Sequence, residues 1–364
     1  MESVEMKNWN LIKQNYEGKK VFVTGHTGFK GGWLTKILSL AGAEVMGYSL
    51  PTSTTPNIFG ALQIEQNCIS ILADILDKEK LKTSILSFQP DYIFHLAAQP
   101  LVRLSYRVPS ETFAVNSIGT AYVLDALTEL EKTCTAVFIT TDKVYHNNEW
   151  DYPYRECDRL GGYDPYSASK ACAELVIDSY RNSFFNEQKY DSHKKRIFVA
   201  RAGNVIGGGD WSEDRLVPDI IRAITTDKNV ILRNAQSVRP WQHVLEPLSG
   251  YLLLGATGLD ANINHAFNFG PNTEDTLTVE ELVKLAIKFL GRGGYETIQN
   301  TEDFHEAKLL KLDVSLAKSQ LNWQPILSAA QAVDWTMSWY QKFYASPADI
   351  NEYTNTQVFS FFDI

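Results

Sequence analysis

A tyrosine and a lysine near the middle of the chain have the spacing of residues that act together on a proton. In the segment 161–174, Asp164 is a good N-cap and Pro165 a good first helical residue, so a helix is predicted to begin here. Tyr166 and Lys170 then lie one turn apart on one helix face. A nearby ammonium lowers the pKa of a phenol from its usual value of about 10. The pair therefore predicts an acid/base for the oxidation of an alcohol, although a surface tyrosine and lysine on an amphipathic helix would show the same pattern.

Polar residues follow a predicted strand shortly before this helix. The strand over 137–141 leads into Thr140, Thr141, Asp142 and Lys143. Open α/β sheets bind their ligands at the carboxyl ends of parallel strands. We therefore expect these residues to form one catalytic cluster with the tyrosine and the lysine.

A glycine-rich turn near the start of the chain predicts a dinucleotide site. A strand over 19–24 runs into the turn, and the residues from 33 to 40 have helical character. Glycines in such a turn let backbone amides and a helix N-terminus approach a pyrophosphate. A tight turn without a ligand would show the same glycines. The residues predicted to hold the cofactor here are Gly25, Gly28, Phe29, Lys30 and Gly31.

Later strands and one helix add further residues to the predicted cofactor site. The strand over 69–75 ends at Asp74 and Ile75, where the carboxylate could accept from the adenine amino group or could simply be solvated. The strand over 92–98 ends in the small stretch Leu96, Ala97 and Ala98, against which a cofactor could lie. The helix predicted over 111–130 contains Asn116 and Gly119, which are unfavourable inside a helix, so another contact must compensate for them.

The sequence leaves the choice between NAD and NADP open. The strand over 44–50 is followed by no carboxylate for a ribose 2′-hydroxyl and by no arginine or lysine for a 2′-phosphate. The absence of a basic cluster favours NAD, whereas Lys30 beside the glycine turn keeps NADP open.

The alternation of strands and helices predicts an α/β fold with a doubly wound parallel sheet. The chain of 364 residues exceeds the roughly 250 to 300 that one hydrophobic core usually serves. We expect a dinucleotide-binding domain over 1–203, to which residues of about 240–265 return. A smaller C-terminal α/β lobe over 204–364 would bind the substrate.

Composition excludes several classes of function. The formal net charge of −9 opposes non-specific binding to nucleic acid. No apolar run approaches a membrane span and no apolar signal core opens the chain, so we expect a cytoplasmic protein. The four cysteines lack metal-ligand spacing, which predicts buried free thiols and no metal site.

A basic and aromatic set in the second lobe suits a nucleoside diphosphate. Arginine matches phosphate oxygens in a fork, and an aromatic face can stack on a base. Ordinary surface arginines would give the same composition. The members of this set are Trp211, Arg215, Arg222, Arg233, Arg239, Trp241 and His243.

Taken together and in order, these motifs resemble the extended short-chain dehydrogenase/reductase superfamily over essentially the whole chain. The stretches 25–33, 140–145 and 239–244 are similar to its nucleotide-sugar dehydratase branch. The resemblance implies a closed redox cycle with NAD: Tyr166 takes the proton of the sugar C4 hydroxyl, Lys170 assists it, and Thr141 binds the C4 oxygen. Asp142 matches the acid that protonates the departing C6 hydroxyl, and the product is a 4-keto-6-deoxy sugar nucleotide.

One position departs from the thymidine-linked members of this branch. They have a glutamate after the catalytic aspartate to remove the C5 proton, whereas this chain has Lys143. Either this lysine is desolvated enough to be neutral, or it stabilises the enolate while another group moves the proton. A lysine is typical of the members that act on CDP-D-glucose, so the resemblance favours that substrate.

The same resemblance implies substrate contacts, partners and rival functions. Asn204, Arg215 and Arg239 would hold the substrate diphosphate, with Arg233 from the same basic set. The helices over 111–130 and 166–182 would join chains into a homodimer or homotetramer. The enzyme would act in deoxysugar synthesis for surface polysaccharides such as lipopolysaccharide.

A 4-epimerase of the same fold is the nearest rival function, but a 4-epimerase needs no acid at C6. A non-catalytic NAD sensor is the remote one.

Overall fold

Seven parallel strands form the centre of the computed structural model, which describes residues 6–257, 263–298 and 309–363. The strands in chain order are β1 (Lys20–Thr24), β2 (Glu44–Ser49), β3 (Ile69–Leu72), β4 (Tyr92–His95), β5 (Cys134–Ile139), β6 (Lys195–Ala202), β7 (Val205–Ile206), β8 (Val230–Leu232), β9 (Val238–Arg239), β10 (Gln242–His243), β11 (Ala266–Phe269), β12 (Leu277–Thr278) and β13 (Tyr295–Thr297). The sheet has the order β11-β6-β5-β4-β1-β2-β3, and every neighbouring pair is parallel. The predicted doubly wound sheet is confirmed.

Helices cover both faces of this sheet, so β5 and β6 are buried along their whole length. The helices in chain order are α1 (Met6–Tyr16), α2 (Phe29–Leu40), α3 (Ile58–Ala61), α4 (Lys78–Phe88), α5 (Val102–Arg107), α6 (Pro109–Phe113), α7 (Gly119–Glu129), α8 (Pro165–Ser183), α9 (Tyr190–His193), α10 (Leu216–Thr225), α11 (Leu245–Thr257), α12 (Val279–Leu290), α13 (Ser315–Leu321), α14 (Ala329–Ala345) and α15 (Ile350–Asp363). Helix α8 begins where its caps predict: the Asp164 side chain accepts from the Ser167 amide, and Pro165 is the first helical residue.

Helical structure differs from the prediction at two places. The long helix predicted over 111–130 is divided, because a π-helical turn over Ala114–Ile118 separates α6 from α7. The helix α15 was not predicted, and its Phe359 and Phe362 rings pack on Trp9 of α1. Both features depend on contacts between distant parts of the chain.

Three two-stranded sheets lie outside the main sheet. β7 pairs with β10, β9 with β12 and β8 with β13. Between β10 and β12 the chain returns to the main sheet, because α11 packs against β5 and β6, and β11 forms its edge.

The four cysteines are free, but the predicted burial holds for Cys134 alone, because Cys68 and Cys172 are half-buried and Cys157 is exposed. Within the described ranges, no helix combines the length and the apolar character that a bilayer span requires.

A buried carboxyl ties α11 to the segment before α14. The Glu246 side chain accepts from the amides of Ile326 and Leu327 at 2.9 and 2.6 Å, and burial raises its pKa to about 8. Because this folded pKa lies above that of the unfolded chain, near 4.3, the folded state loses stability as pH rises between these values. Because Glu246→Gln removes this titration, we expect the Tm of the variant minus the Tm of the wild type to increase from pH 5 to pH 8.

Thermal unfolding of both proteins across this pH range measures the difference in Tm. An equal Tm difference at every pH would contradict the assignment of this titration to Glu246.

Candidate active site

Helix α8 brings Tyr166 and Lys170 to the carboxyl edge of β5. The Lys170 ammonium is 4% exposed and donates to the carbonyl oxygen of Ile139, the last residue of β5, at 2.9 Å. Burial lowers its pKa to about 8, while Glu174 on the same helix raises it. Burial and Glu174 therefore act in opposite directions on the pKa of Lys170.

Tyr166 titrates in the opposite direction from the prediction. Burial raises the pKa of its phenol to about 12, and only a hydrogen bond with the Thr141 side chain and the nearby Arg215 lower it. The expected lowering by Lys170 is wrong for the protein chain itself, because the effect of burial on the phenol is larger than that of any nearby group. The structure does bring Tyr166 and Thr141 into hydrogen-bond contact.

The predicted polar cluster forms a tight turn directly after β5. Thr141 begins a single helical turn over Asp142–Val144; its hydroxyl accepts from the Lys143 amide at 3.3 Å and donates to the Asp142 carboxylate at 2.9 Å. Burial raises the pKa of Asp142, against the lowering effects of Lys143 and Arg239. A carboxyl with a raised pKa suits a general acid.

The glycines of the first turn are required by close backbone contacts. Gly25 has φ of +78°, and a Cβ there would lie 2.9 Å from the Ala97 amide nitrogen, so this turn packs directly on the end of β4. A Cβ on Gly31 would lie 2.0 Å from the Gly25 carbonyl oxygen. Gly28 precedes α2 and provides no side-chain cap, so the first amides of that helix are free to bind an anion.

The Asp74 carboxylate, a predicted cofactor contact, accepts from the Leu76 amide at 2.9 Å and so closes its own turn.

The glycine turn also contains a buried histidine, His26, that was not singled out from the sequence. The His26 ring is fully buried, bonds the Ser70 hydroxyl at 2.7 Å, and lies where a Cβ on Gly47 would approach it to 2.2 Å. Its only sequence signal was its place in the glycine turn.

The predicted compensation for Asn116 and Gly119 is present. The Asn116 amide oxygen accepts from the Gln99 amide, and its nitrogen donates to the Ser169 hydroxyl, both at 2.8 Å. A Cβ on Gly119 would lie 3.1 Å from Ile75, so the glycine permits this close packing. The π-helical turn therefore joins the loop after β4, which contains Leu96 to Ala98, to helix α8.

One cavity of about 900 Å³ extends from the turn after β5 to residues of α10, β8 and β9. Its volume is within the usual range for a small-molecule site, about 300 to 1,000 Å³. Among the residues singled out from the sequence, those that line it are Phe29, Lys30, Thr140, Thr141, Asp142, Lys143, Asp164, Tyr166, Asn204, Arg215, Arg222, Arg233, Arg239 and Trp241.

The arginines of this cavity differ in their surroundings. Arg215 donates to the Asp210 carboxylate at 2.8 Å, and Arg233 lies 3.8 Å from Asp214 with a side chain that is 45% exposed. Arg239 is close enough to lower the pKa of Asp142. These three guanidinium groups, those of Arg103 and Arg222, and the buried carboxyl thus lie in one connected space.

The aromatic part of the predicted base-binding set is wrong in two of its three members. Trp211 packs on Trp339 and Phe343 in the core, and His243 is fully buried between Trp33 and Trp335. Trp241 alone of these three lines the cavity, with 8% of its surface exposed. In the part of the chain that the structure describes, no group of His, Cys, Asp and Glu side chains could hold a metal ion.

Comparisons with known proteins agree with this geometry. A family model described as GDP-mannose 4,6-dehydratase matches residues 22–336. A CDP-glucose 4,6-dehydratase of Salmonella typhimurium is 46% identical over 334 residues, which cover 91% of this chain and 93% of that protein.

Solved structures share the fold at lower identity. An epimerase of Methanothermobacter thermautotrophicus is 22% identical with a TM-score of 0.80, and the match covers 95% of this chain and 98% of that one. A dTDP-glucose 4,6-dehydratase of Streptomyces venezuelae, solved with NAD and TYD bound, is 22% identical with a TM-score of 0.77 over 91% of this chain and 99% of that one. The fold therefore serves both dehydratases and epimerases.

Proposed function

Because this chain belongs to the GDP-mannose 4,6-dehydratase family of extended short-chain dehydrogenases/reductases, we propose that it is an NAD-dependent 4,6-dehydratase whose substrate is CDP-D-glucose. The observation that carries the reaction is the presence of a buried acid, Asp142, beside Thr141 and Tyr166 in one cavity. The choice of CDP-D-glucose is supported by the relative at 46% identity.

The glycine turn fits NAD, because Gly25 and Gly31 pack too closely on backbone atoms to admit a Cβ and Gly28 leaves the first amides of α2 without a side-chain cap. When bound, NAD would supply the acceptor for the C4 hydride and the source of the hydride needed at C6. The residues that would hold it are Gly25, Gly28, Phe29, Lys30, Gly31, Asp74, Ile75, Leu96, Ala97, Ala98 and Asn116, with Tyr166 and Lys170.

In the first half of the reaction, the chain moves the proton of the C4 hydroxyl. Tyr166 accepts this proton, and Thr141, already in hydrogen-bond contact with Tyr166, orients the C4 oxygen. Lys170 lies one helical turn from Tyr166, and its proposed role is to hold the ribose of NAD. The sugar becomes a 4-ketone, which acidifies the proton on C5.

In the second half, water leaves across C5 and C6. Asp142, whose pKa is raised by burial, donates a proton to the departing C6 hydroxyl. Lys143 lines the same cavity and would stabilise the enolate that forms when solvent accepts the C5 proton. Hydride return to C6 and proton return to C5 give the 4-keto-6-deoxy sugar nucleotide.

An epimerase of the same fold is the second candidate function, because it would use the same tyrosine, lysine and threonine. The buried acid favours the dehydratase, since epimerisation at C4 expels no hydroxyl. A sensor without catalysis is disfavoured by the presence of Tyr166 and Lys170 beside the cavity.

Arg233 is proposed to contact the substrate diphosphate, so Arg233→Gln is expected to raise KM for CDP-D-glucose about tenfold while kcat changes little. A hydrogen bond to a charged group contributes about 1.5–3 kcal/mol, and tenfold corresponds to about 1.4 kcal/mol. Steady-state kinetics separate the two constants. Arg155→Gln, at a side chain that is 65% exposed, is the matched control. A lower kcat at unchanged KM would contradict this role.

The experiment that tests the proposed substrate is a parallel incubation of the purified protein and NAD with CDP-D-glucose, UDP-glucose and dTDP-glucose. We expect loss of water from the cytidine-linked sugar alone, detected by product mass. Conversion of another nucleotide sugar at an equal rate would contradict the CDP assignment and leave the dehydratase reaction standing.

The oligomer and the location are proposals of the same kind. We infer a homodimer or homotetramer through α6, α7 and α8, supported by the exposed apolar side chains Ile118 and Leu175. Light scattering of the purified protein measures its mass in solution. A cytoplasmic location is supported by a substrate and a cofactor that are both cytoplasmic metabolites.

A further inference from the structure

A buried ion pair lies directly behind the proposed catalytic turn. Glu174 is on α8, four residues after Lys170, and Arg201 is near the end of β6. Two guanidinium nitrogens of Arg201 donate to the Glu174 carboxylate at 2.5 to 3.0 Å, and the two side chains are 4% and 3% exposed. Neither residue lines the cavity, so the proposed reaction gives neither of them a direct contact with the substrate.

Glu174 holds the residue that enters the catalytic turn. The Thr140 hydroxyl donates to the Glu174 carboxylate at 2.6 Å, and the Thr140 amide donates to the Ala200 carbonyl on β6 at 2.9 Å. Thr140 immediately precedes Thr141, so the position of Thr140 sets where the turn begins.

Arg201 holds the residue that leaves the turn. Its guanidinium donates to the Tyr145 hydroxyl at 2.7 Å and lies 4.9 Å from the centre of that ring. The Tyr145 hydroxyl in turn donates to the Asn268 side chain at 2.8 Å. Asn268 on the edge strand β11 is paired with Arg201 on β6, so the pairing of these two strands brings the groups together.

We propose that Glu174 and Arg201 are positioning residues of the dehydration, because they hold both ends of the turn that carries Thr141 and Asp142. The inference rests on the function proposed above. Within the turn, the amides of Val144 and Tyr145 reach back to carbonyl oxygens only at 3.4 Å. Its geometry therefore depends on what holds its two ends: Glu174 at the first, and at the second Arg201 together with the Gly161 amide, which donates to the Val144 carbonyl at 2.7 Å.

We call the contacts of Glu174 and Arg201 with the two ends of the turn the clamp. Loosening the clamp should affect catalysis more than substrate binding. The diphosphate is bound by arginines on other segments, whereas the acid and the hydroxyl of the turn must meet C6 and C4 of the sugar. A misplacement of about 1 Å in such groups can reduce the rate about a hundredfold. Loosening the turn should thus lower kcat and leave KM for the substrate nearly unchanged.

Two variants release one end of the turn each. Thr140→Val keeps the side-chain shape and removes the bond to Glu174. Tyr145→Phe keeps the ring and removes the bonds to Arg201 and Asn268. Glu174→Gln is a third variant, but an unpaired buried arginine can destabilise the whole fold, so the first two carry the test. Thr336→Val is the matched control, because this fully buried threonine donates to the Ala332 carbonyl within α14.

The test combines amide hydrogen exchange of residues 141–145 with steady-state kinetics. We expect exchange in this turn to be severalfold faster in Thr140→Val and Tyr145→Phe than in the wild type and in Thr336→Val. We also expect kcat for CDP-D-glucose to fall about 10- to 100-fold with KM changed less than about threefold.

Unchanged exchange in both variants would overturn the clamp, and so would an equal loss of kcat in the control variant. If the wild type does not dehydrate CDP-D-glucose, the proposed function is wrong, and the exchange measurement still decides whether Glu174 and Arg201 hold the turn.

Discussion

Replacement of Tyr166 by phenylalanine is expected to lower kcat about a thousandfold while the fold is retained, because acid–base groups of this kind contribute about 10²- to 10⁴-fold. The substitution keeps the ring and removes the hydroxyl that bonds the Thr141 side chain. Without it, the C4 proton has no acceptor at the position beside Thr141. Product formation from CDP-D-glucose, together with the Tm of the variant, measures the effect.

Tyr152→Phe is the matched control for this prediction, since that side chain is 76% exposed and lies outside the cavity lining. We expect it to retain wild-type kcat. If Tyr166→Phe also retained kcat within a few fold, another group would take the C4 proton, and the proposed role of the α8 tyrosine would be wrong.

Replacement of Asp142 by asparagine is expected to separate the two halves of the reaction. An amide has nearly the same shape as the carboxyl but cannot donate the proton that the C6 hydroxyl needs in order to leave. Oxidation at C4 depends on Tyr166 and continues, so reduced cofactor should accumulate on the enzyme. We expect overall dehydration to fall about a thousandfold, within the range for loss of a general acid.

The absorbance of NADH in a single turnover measures this accumulation directly. Asp334→Asn, at an exposed position of α14, provides the control for the chemical change. Full activity of Asp142→Asn would contradict its assignment as the acid. Loss of product without any NADH would show that Asp142 is needed before C4 oxidation and not after it.

Local signals made much of this site predictable from the sequence. Asp164 and Pro165 mark the start of α8, so the spacing of Tyr166 and Lys170 could be read as one helical turn. The turn after β5 follows from the rule that parallel sheets bind ligands at the carboxyl ends of their strands. Both inferences need only neighbouring residues and a strand direction.

Contacts between distant residues could not be predicted in the same way. The Lys170 ammonium bonds a carbonyl 31 residues away, and the bond from Tyr145 to Asn268 spans 123 residues. No local pattern marks such pairs. The pKa of Tyr166 was therefore assigned the wrong direction, because the sequence gives a neighbour on the helix but not the degree of burial.

Burial also explains the misassigned aromatic residues. Trp211 lies in a segment with several arginines, which suggested stacking on a base, yet its ring packs on Trp339 and Phe343. Those two residues come more than a hundred positions later, on α14. Residue type and neighbourhood alone do not distinguish a core tryptophan from one that lines a cavity.

The proposed reaction oxidises C4 of CDP-D-glucose, removes water across C5 and C6, and restores the cofactor. Its most direct test is incubation of the wild-type protein with CDP-D-glucose and NAD in deuterated water, followed by mass spectrometry and NMR of the product. We predict a 4-keto-6-deoxy sugar nucleotide with one deuterium at C5 and no net NADH. A C4 epimer formed without loss of water, or NADH that accumulates in proportion to product, would contradict the account.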